Sequence, residues 1–357
     1  MSNNKSVQLG LCCMNTTLRA QKPSIYAART MIVRTVKEQG IDELKRRITL
    51  NLQDLLVMID WNEQNGIKVF RLSSELFPHY TNKKVENYSL DFAVDLLKQI
   101  GEKARGYNQR LTFHPGQFNV LASPNENALA NTFTELEYHA SIFDIMGMDY
   151  NSVMVIHGGG FYGDKPAAKK RWCENYRKLK DSPRNRLVLE NCEKCFSIQD
   201  CLDISAECGV PVVFDTHHYD CYSLLHPDET QEPPEYYIPL ILETWKKRGI
   251  KPKFHVSEQG SGRTGHHSDY IEVLPKYLLE IPEKYGANID IMIEAKMKEL
   301  SIFKLYEKYP FLNCKKTTKT TKTTKTTKKK KKFNVVLKKK NNDSKNDNTS
   351  SSDDNSS

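Results

Sequence analysis

The stretch VPVVFDTHH, residues 210–218, joins an apolar run to an acidic residue and two imidazoles. A near-continuous hydrophobic run of this kind is typical of a strand buried on both faces of a parallel sheet. Similar runs that end in His or Glu recur at Phe113-His114, Ile156-His157, Leu189-Glu190, Phe254-His255 and Ile293-Glu294. Together these runs predict that their polar side chains meet at one edge of a parallel sheet.

Predicted strands and helices alternate along the rest of the chain. The predicted strands are residues 7–12, 67–72, 110–114, 152–157, 186–190, 210–215, 252–256 and 289–295. Helical periodicity marks residues 41–65, 89–104, 126–143, 165–179, 197–208, 234–247, 269–284 and 299–309, and 165–179 is the weakest of these predictions because it is polar. A strand followed by a helix, eight times over, predicts an α/β fold of the (β/α)₈ TIM barrel type. The active site of such a barrel lies at the C-terminal ends of its strands.

The formal net charge of +9 is concentrated at one end of the chain. Residues 315–357 contain 14 Lys and 4 Asp, whereas the first 314 residues contain 39 basic and 40 acidic side chains. The tail consists largely of Lys-Thr-Thr units, lysine runs, Asn and Ser, a composition that predicts disorder. We therefore predict a barrel domain at 1–314 and a disordered tail at 315–357. Such a tail can attract nucleic acid without sequence preference, or act as a localisation signal, or be dispensable.

Cysteine usage and hydropathy indicate an intracellular protein, in the cytoplasm or the nucleus. The nine cysteines are odd in number, the N-terminal residues have no apolar signal core, and no segment resembles a membrane span. Cys192-x-x-Cys195, followed by Cys201 and Cys208, is a weak candidate for a zinc knuckle because its spacing matches no common finger. The glycine run 158–160 lacks the Lys-Ser/Thr of a P-loop, so we predict no nucleotide cofactor and expect a close backbone approach to substrate instead.

Imidazoles and carboxylates gathered at strand ends predict a multinuclear metal site that suits Zn²⁺, Mn²⁺ or Fe²⁺. Glu190 ends a middle strand, where its carboxylate could bridge two ions, and paired ions catalyse phosphoryl displacement. Lys253 and His255 are two residues apart and should face the same side of their strand. Because cations would repel a bare ammonium, Lys253 either lies outside the cluster or is carboxylated and becomes a ligand.

A series of motifs between residues 7 and 300 gives the chain a specific resemblance to one known family. They are Leu9-Gly10 with Asn15, FRLSSELFP at 70–78, FHPGQF at 113–118, VIHGG at 155–159, LEN at 189–191, FDTHH at 214–218, KFHVS at 253–257, HSDY at 267–270 and DIMIEAK at 290–296. With these motifs the chain resembles the UV-damage endonucleases, metal-dependent DNA repair enzymes with a TIM barrel related to endonuclease IV and xylose isomerase.

The resemblance implies a cluster of three divalent ions, with manganese as the expected metal. One ion would be held by His114, His157 and Glu190, a second by Glu190, Asp215, His255 and Glu294, and a third by His218, His267 and a carboxylated Lys253. Within this set the resemblance assigns catalysis to Glu190, Lys253 and Glu294. Gln117 and Phe118 match the pair that probes the duplex for damage, and Asn15 and Arg71 are further expected lesion contacts. An amide and a flat ring can replace lost pairing and stacking when damaged bases leave the duplex.

The implied reaction is hydrolysis of the phosphodiester immediately 5′ to a UV photoproduct, a cyclobutane pyrimidine dimer or a 6-4 photoproduct, leaving a 3′-hydroxyl and a 5′-phosphate. The implied partner is damaged double-stranded DNA, bound by a monomer. Alternatives are an apurinic/apyrimidinic endonuclease or a sugar isomerase on the same barrel, and a non-catalytic DNA-binding protein is less favoured. Three positions depart from the family pattern: Leu11 stands where Tyr is typical, Cys192-Glu193 where two Asp are usual, and Asn82 where His is expected.

Overall fold

The structure is a computed structural model that describes residues 6–315, and residues 1–5 and 316–357 lie outside it. All but one residue of the predicted tail 315–357 is therefore outside the described residues, and its disorder stays a prediction. Within the described part, no helix is long and apolar enough to cross a membrane.

Eight parallel strands form the barrel in the described residues. They are β1 Val7–Cys12, β2 Val69–Arg71, β3 Arg110–Thr112, β4 Met154–His157, β5 Leu187–Glu190, β6 Val212–Asp215, β7 Lys253–Val256 and β8 Ile289–Ile293. Hydrogen-bonded neighbours follow the order β3-β2-β1-β8-β7-β6-β5-β4. Phe113 closes the ring between β3 and β4, because its N–H donates to the Val153 carbonyl at 2.9 Å and its carbonyl accepts from Val155 N–H at 3.0 Å. The prediction of a (β/α)₈ barrel is confirmed.

Helices surround the strands. They are α1 Thr16–Arg19, α2 Val33–Gln39, α3 Ile41–Gln64, α4 Val94–Gly106, α5 Glu126–Ile145, α6 Lys165–Lys178, α7 Asp181–Arg186, α8 Ile198–Cys208, α9 Thr216–Leu225, α10 Pro234–Arg248, α11 Lys276–Leu279, α12 Ile281–Tyr285 and α13 Glu299–Lys308. Short 3₁₀ segments lie at Ser74–Leu76, Asp91–Ala93 and Pro310–Leu312. The polar segment 165–179, the weakest prediction, is a helix whose N-terminus is capped by Asp164.

One predicted helix is largely wrong. Residues 269–275 are irregular, and the remainder of 269–284 forms only the short helices α11 and α12. Pro275 is the N-cap of α11 and Pro282 lies in the first turn of α12, since proline fixes φ and lacks the N–H that would continue a preceding helix. The irregular segment follows the loop that carries His267, so this stretch forms part of the strand-end rim.

Burial explains why the strand predictions succeeded. Every residue of β5, β6, β7 and β8 is buried, as expected for strands covered by helices on one side and by barrel side chains on the other. Helix α3 buries the predicted apolar stripe Leu44, Ile48, Leu52, Leu55 and Ile59. This packing fixes the strands, and with them the polar residues at their C-terminal ends.

Candidate metal centre

Glu190 is the centre of the site. It ends β5, is fully buried, and its Oε2 lies 2.8 Å from His114 Nε2 and 3.0 Å from His157 Nε2. Its second oxygen, Oε1, lies 2.5 Å from His255 Nδ1. Three imidazoles from three different strand ends therefore meet one carboxylate.

Glu294 forms the second side of the site, immediately after β8. Its Oε1 lies 3.3 Å from His255 Nδ1 and is ion-paired with the Arg71 guanidinium. Arg71 also hydrogen-bonds the thiols of Cys12 and Cys13. The sequence suggested that Arg71 contacts the lesion; the structure shows Arg71 lining the cleft while it holds Glu294 in place.

The link between β5 and β6 was missed in the sequence. Asn191 Nδ2 donates to the Asp215 carbonyl at 3.0 Å, and Asp215 N–H donates to Asn191 Oδ1 at 2.8 Å. The Asn191 carbonyl lies 3.0 Å from His218 Nδ1, which leaves His218 Nε2 as the donor atom for a ligand. The LEN motif was the available signal, because it places an amide directly after the carboxylate that ends a buried strand.

Asp215 ends β6 and begins α9. Its Oδ1 accepts the His218 N–H at 2.8 Å, capping the helix, while its buried Oδ2 has no hydrogen-bond partner among the described residues. A buried carboxylate oxygen without a partner is costly, and coordination of a cation would satisfy it.

The electrostatics of the site favour cations. Burial alone would raise the pKa of the Glu190 carboxyl, but the nearby imidazoles, led by His255, hold it well below the usual range. Burial would lower the pKa of His218, yet the carboxylates of Asp215 and Glu190 raise it to about 10. The buried carboxylates and imidazoles therefore stabilise each other's charged forms, and the carboxylates favour a positive charge at His218.

Lys253 is fully buried beside this cluster. Its Nζ lies 2.6 Å from His255 Nε2, as the same-side prediction requires. Burial, reinforced by the positive charge of Arg71, lowers the pKa of Lys253 to about 7. An amine that is partly neutral near pH 7 is the form that could accept carboxylation.

The donor atoms fall into three overlapping groups that fit divalent cations. They are His114 with Glu190 and His255, His157 with Glu190 and His218, and Asp215 with His255 and Glu294, each with its donor atoms within 4.8 Å of one another. The third group agrees with the implied second ion, whereas the first two divide His114 and His157 differently from the sequence-based assignment. His267 belongs to none of these groups in the described part; its Nδ1 lies 4.0 Å from Glu294 Oε2. Nitrogen and carboxylate donors of this kind suit Mn²⁺, Zn²⁺ or Fe²⁺.

A cleft of about 290 Å³ opens above these residues. It is lined by Cys13, Arg71, His114, Pro115, Gly116, Gln117, Asn119, His157, Gly159, His218, His267 and Glu294. Gln117 borders the cleft, and the adjacent Phe118 is 84% exposed. The described residues therefore leave this apolar ring largely uncovered next to the cleft.

Asn15, an expected lesion contact, is the N-cap residue of α1. Its side chain is fully buried, and its Oδ1 accepts the Leu18 N–H at 2.8 Å, which caps α1. In this conformation Asn15 positions the first loop of the rim and does not reach the cleft.

The cysteine segment of the β5 loop does not assemble a zinc knuckle. The thiols of Cys192 and Cys195 are hydrogen-bonded to each other, whereas the Cys208 thiol is hydrogen-bonded to the Cys173 thiol of α6. Cys201 is packed in the core. No disulfide joins the cysteines of residues 6–315, and reduced thiols remain the expectation for them.

Comparison with known proteins agrees with this geometry. The model of the UV-endonuclease UvdE family matches residues 7–337. A putative UV-damage endonuclease of Acanthamoeba polyphaga mimivirus is 40% identical over 312 residues, 86% of this chain and 92% of that protein. The UV-damage endonuclease of Schizosaccharomyces pombe is 36% identical over 317 residues, 86% of this chain but 51% of that protein, so the chain matches about half of that relative.

Solved structures agree as well. SacUVDE superposes with a TM-score of 0.73 at 28% identity, covering 86% of this chain and 100% of that one. Endonuclease IV from Thermus thermophilus gives a TM-score of 0.50 at 14% identity, covering 72% and 94%, a likeness that shows the barrel fold alone. The family match, the relatives and the clustered strand-end residues lead to one conclusion: the chain is an enzyme of the UV-endonuclease UvdE family.

Proposed function

We propose that this protein is a metal-dependent DNA repair endonuclease that cuts damaged double-stranded DNA immediately 5′ to UV photoproducts, leaving a 3′-hydroxyl and a 5′-phosphate. The observation that carries the proposal is the position of Glu190, a buried carboxylate within 3.0 Å of imidazole nitrogens from three strand ends. Such a bridging carboxylate is what paired divalent ions require, and paired ions catalyse phosphodiester hydrolysis. We also propose that the protein acts as a monomer.

The proposed ligands are those at the strand ends. His114, His157, Glu190, Asp215, His218, His255, His267 and Glu294 would hold up to three ions, Mn²⁺ in this proposal, with Lys253 as a further ligand if it is carboxylated. Bound ions would supply Lewis-acid stabilisation of the phosphoryl oxygens and an acidified water. Arg71 keeps Glu294 oriented, and the Asn191 carbonyl keeps His218 oriented.

Lesion recognition is proposed for the loop after β3. Gln117 borders the cleft and Phe118 extends into solvent beside it, so both can enter the duplex at a weakened base step. A photoproduct lowers the cost of unstacking, and the pair would replace the lost pairing and stacking. The damaged nucleotides would then lie over the metal centre.

The test is a nicking assay with an end-labelled duplex that contains one thymine dimer, compared with undamaged and abasic duplexes, in Mn²⁺ and in EDTA. Glu190→Gln should lower the rate at least about 100-fold, because even partners behind metal ligands cost 10- to 100-fold when changed. Glu174→Gln, the same substitution on the exposed face of α6, should cut at the wild-type rate.

A metal-dependent cut directly 5′ to the dimer, lost only in Glu190→Gln, is the expected result. Cutting restricted to the abasic duplex would instead identify an apurinic/apyrimidinic endonuclease. Binding without any cutting in Mn²⁺ would refute the proposed catalysis.

A further inference from the structure

The loop after β4 presents two adjacent aromatic rings to solvent. Phe161 is 38% exposed and Tyr162 is 48% exposed. Gly159, two residues before Phe161, lines the cleft together with His157 and Gln117. The two rings therefore follow a cleft-lining residue by two and three positions, on the loop next to the one that carries Phe118.

Two glycines press this loop against its neighbours on both sides. A Cβ on Gly158 would lie 2.6 Å from the Phe196 ring of the β5 loop, and one on Gly159 would lie 3.0 Å from the Val120 side chain of the β3 loop. Gly159 also has a φ of +87°, which disfavours residues with a β-carbon. The loop is thus fixed at these glycines, and after them the Tyr162 ring packs beside Gly160, where an added Cβ would lie 3.4 Å from the ring.

Tyr162 holds its exposed position against a backbone preference. Its φ is +53°, a left-handed conformation that Gly or Asn would adopt more readily than a bulky residue. The Arg171 guanidinium carbon lies 5.8 Å from the centre of the Tyr162 ring, and Arg171 Nε donates to the Ala122 carbonyl at 3.0 Å. The Arg171 cation thus contacts the ring while much of the ring surface stays exposed. Backbone outliers such as the positive φ of Tyr162 cluster at functional sites.

We propose that Phe161 and Tyr162 stack on nucleobases of the DNA bound in the cleft, forming an aromatic contact separate from Phe118. This inference rests on the proposed function, since it requires DNA to enter the metal cleft. Aromatic rings stack on any base, so the contact suits a substrate defined by a lesion and not by its sequence. The Arg171 cation beneath the Tyr162 ring strengthens the attraction to DNA.

Leucine substitutions test the stacking directly. Phe161→Leu and Tyr162→Leu remove the rings but keep apolar bulk, and at position 162 leucine is strained by the same positive φ as tyrosine. Tyr162→Phe keeps the ring and is the matched control. Binding of the full chain is measured by anisotropy at about 0.2 M salt, where phosphate contacts are weakened. The labelled thymine-dimer and undamaged duplexes carry 2-aminopurine at the positions flanking the dimer site.

Each leucine variant should raise Kd about 5- to 10-fold, a fraction of what loss of a stacked base can cost. Tyr162→Phe should stay within about twofold of wild type. Wild type should quench 2-aminopurine fluorescence more than the double leucine variant does. Leucine variants that bind and quench like wild type would overturn the stacking role.

The two proposals fail differently. If wild type binds the dimer duplex but never cuts it, the proposed nuclease activity is refuted, and the binding series still decides whether the rings stack. If wild type binds none of the duplexes, both proposals are refuted.

Discussion

Glu299 at the start of α13 should contribute strongly to stability, although it lies far from its partners in sequence. Its carboxylate is fully buried and accepts the N–H groups of Thr16 at 2.8 Å and Thr17 at 2.7 Å, together with both threonine hydroxyls. These N–H groups belong to the first turn of α1, a helix without an acidic residue of its own. Glu299 therefore joins the last strand-end loop of the barrel to the first.

Glu299→Gln conserves shape but changes the hydrogen bonding. One oxygen accepts from Thr16 N–H and the other from Thr17 N–H, so the amide NH₂ must face one of these donors in either orientation. Hydrogen bonds to charged groups are worth roughly 1.5–3 kcal/mol, and a loss of about 2–3 kcal/mol is expected. With an unfolding entropy of about 2 cal/mol/K for each of about 310 residues, Tm should fall by about 3–5 °C.

The assay is thermal unfolding of the full chain, with hydrogen exchange at the α1 amides as a local readout. Glu307→Gln is the control, because Glu307 is on the same helix but exposed. The control should melt within about 1 °C of wild type, since surface changes usually cost under about 0.5 kcal/mol. If Glu299→Gln melts like the control and its α1 amides exchange no faster, the carboxylate does not hold the first loop.

Two further predictions concern thiol chemistry and packing. The hydrogen bond from Cys192 lowers the pKa of Cys195 to about 6, so alkylation of Cys195 by iodoacetamide should increase with pH around a midpoint near 6. Alkylation is followed by mass spectrometry, and in Cys192→Ser the midpoint should rise towards the ordinary thiol pKa. An unchanged midpoint would show that the hydrogen bond from Cys192 does not lower the pKa of Cys195. On α4, a Cβ at Gly101 would lie 1.8 Å from the Met146 carbonyl oxygen, whereas one at Gly106 would meet no atom of the described residues within 4 Å. Gly101→Ala should therefore lose about 1–3 kcal/mol or more and Gly106→Ala should be neutral or stabilising by up to about 1 kcal/mol, and equal Tm values would refute the clash.

Local patterns in the sequence were sufficient to predict the barrel fold. A strand covered on both faces needs a continuous apolar run, and each of the eight runs lies within one predicted segment, so no distant contact had to be known. The same reasoning placed His157, Glu190 and Asp215 at strand ends, since each directly terminates such a run. The prediction of one helix at 269–284 was wrong because the apolar residues keep a helical spacing although two prolines divide the segment.

What the sequence could not supply were the contacts between strand ends. Glu294 meets Arg71 across 223 positions, and Asn191 joins Asp215 across 24, pairings that depend on the strand order around the barrel. Asn15 illustrates the same limit: only the fold shows that its buried side chain caps α1, and its contact with a lesion stays a prediction.

The sequence by itself determined the barrel, its strand ends and the kinds of side chain found there. Hydrophobic periodicity, which predicts burial, can be read from consecutive residues. Only the tertiary structure decided which imidazole meets which carboxylate, and that Glu190 lies within reach of three of them. It also decided that Phe161 and Tyr162 stay exposed on the loop after β4. Closing the barrel brings distant residues within a few ångströms of one another, and such distances depend on every strand in the ring.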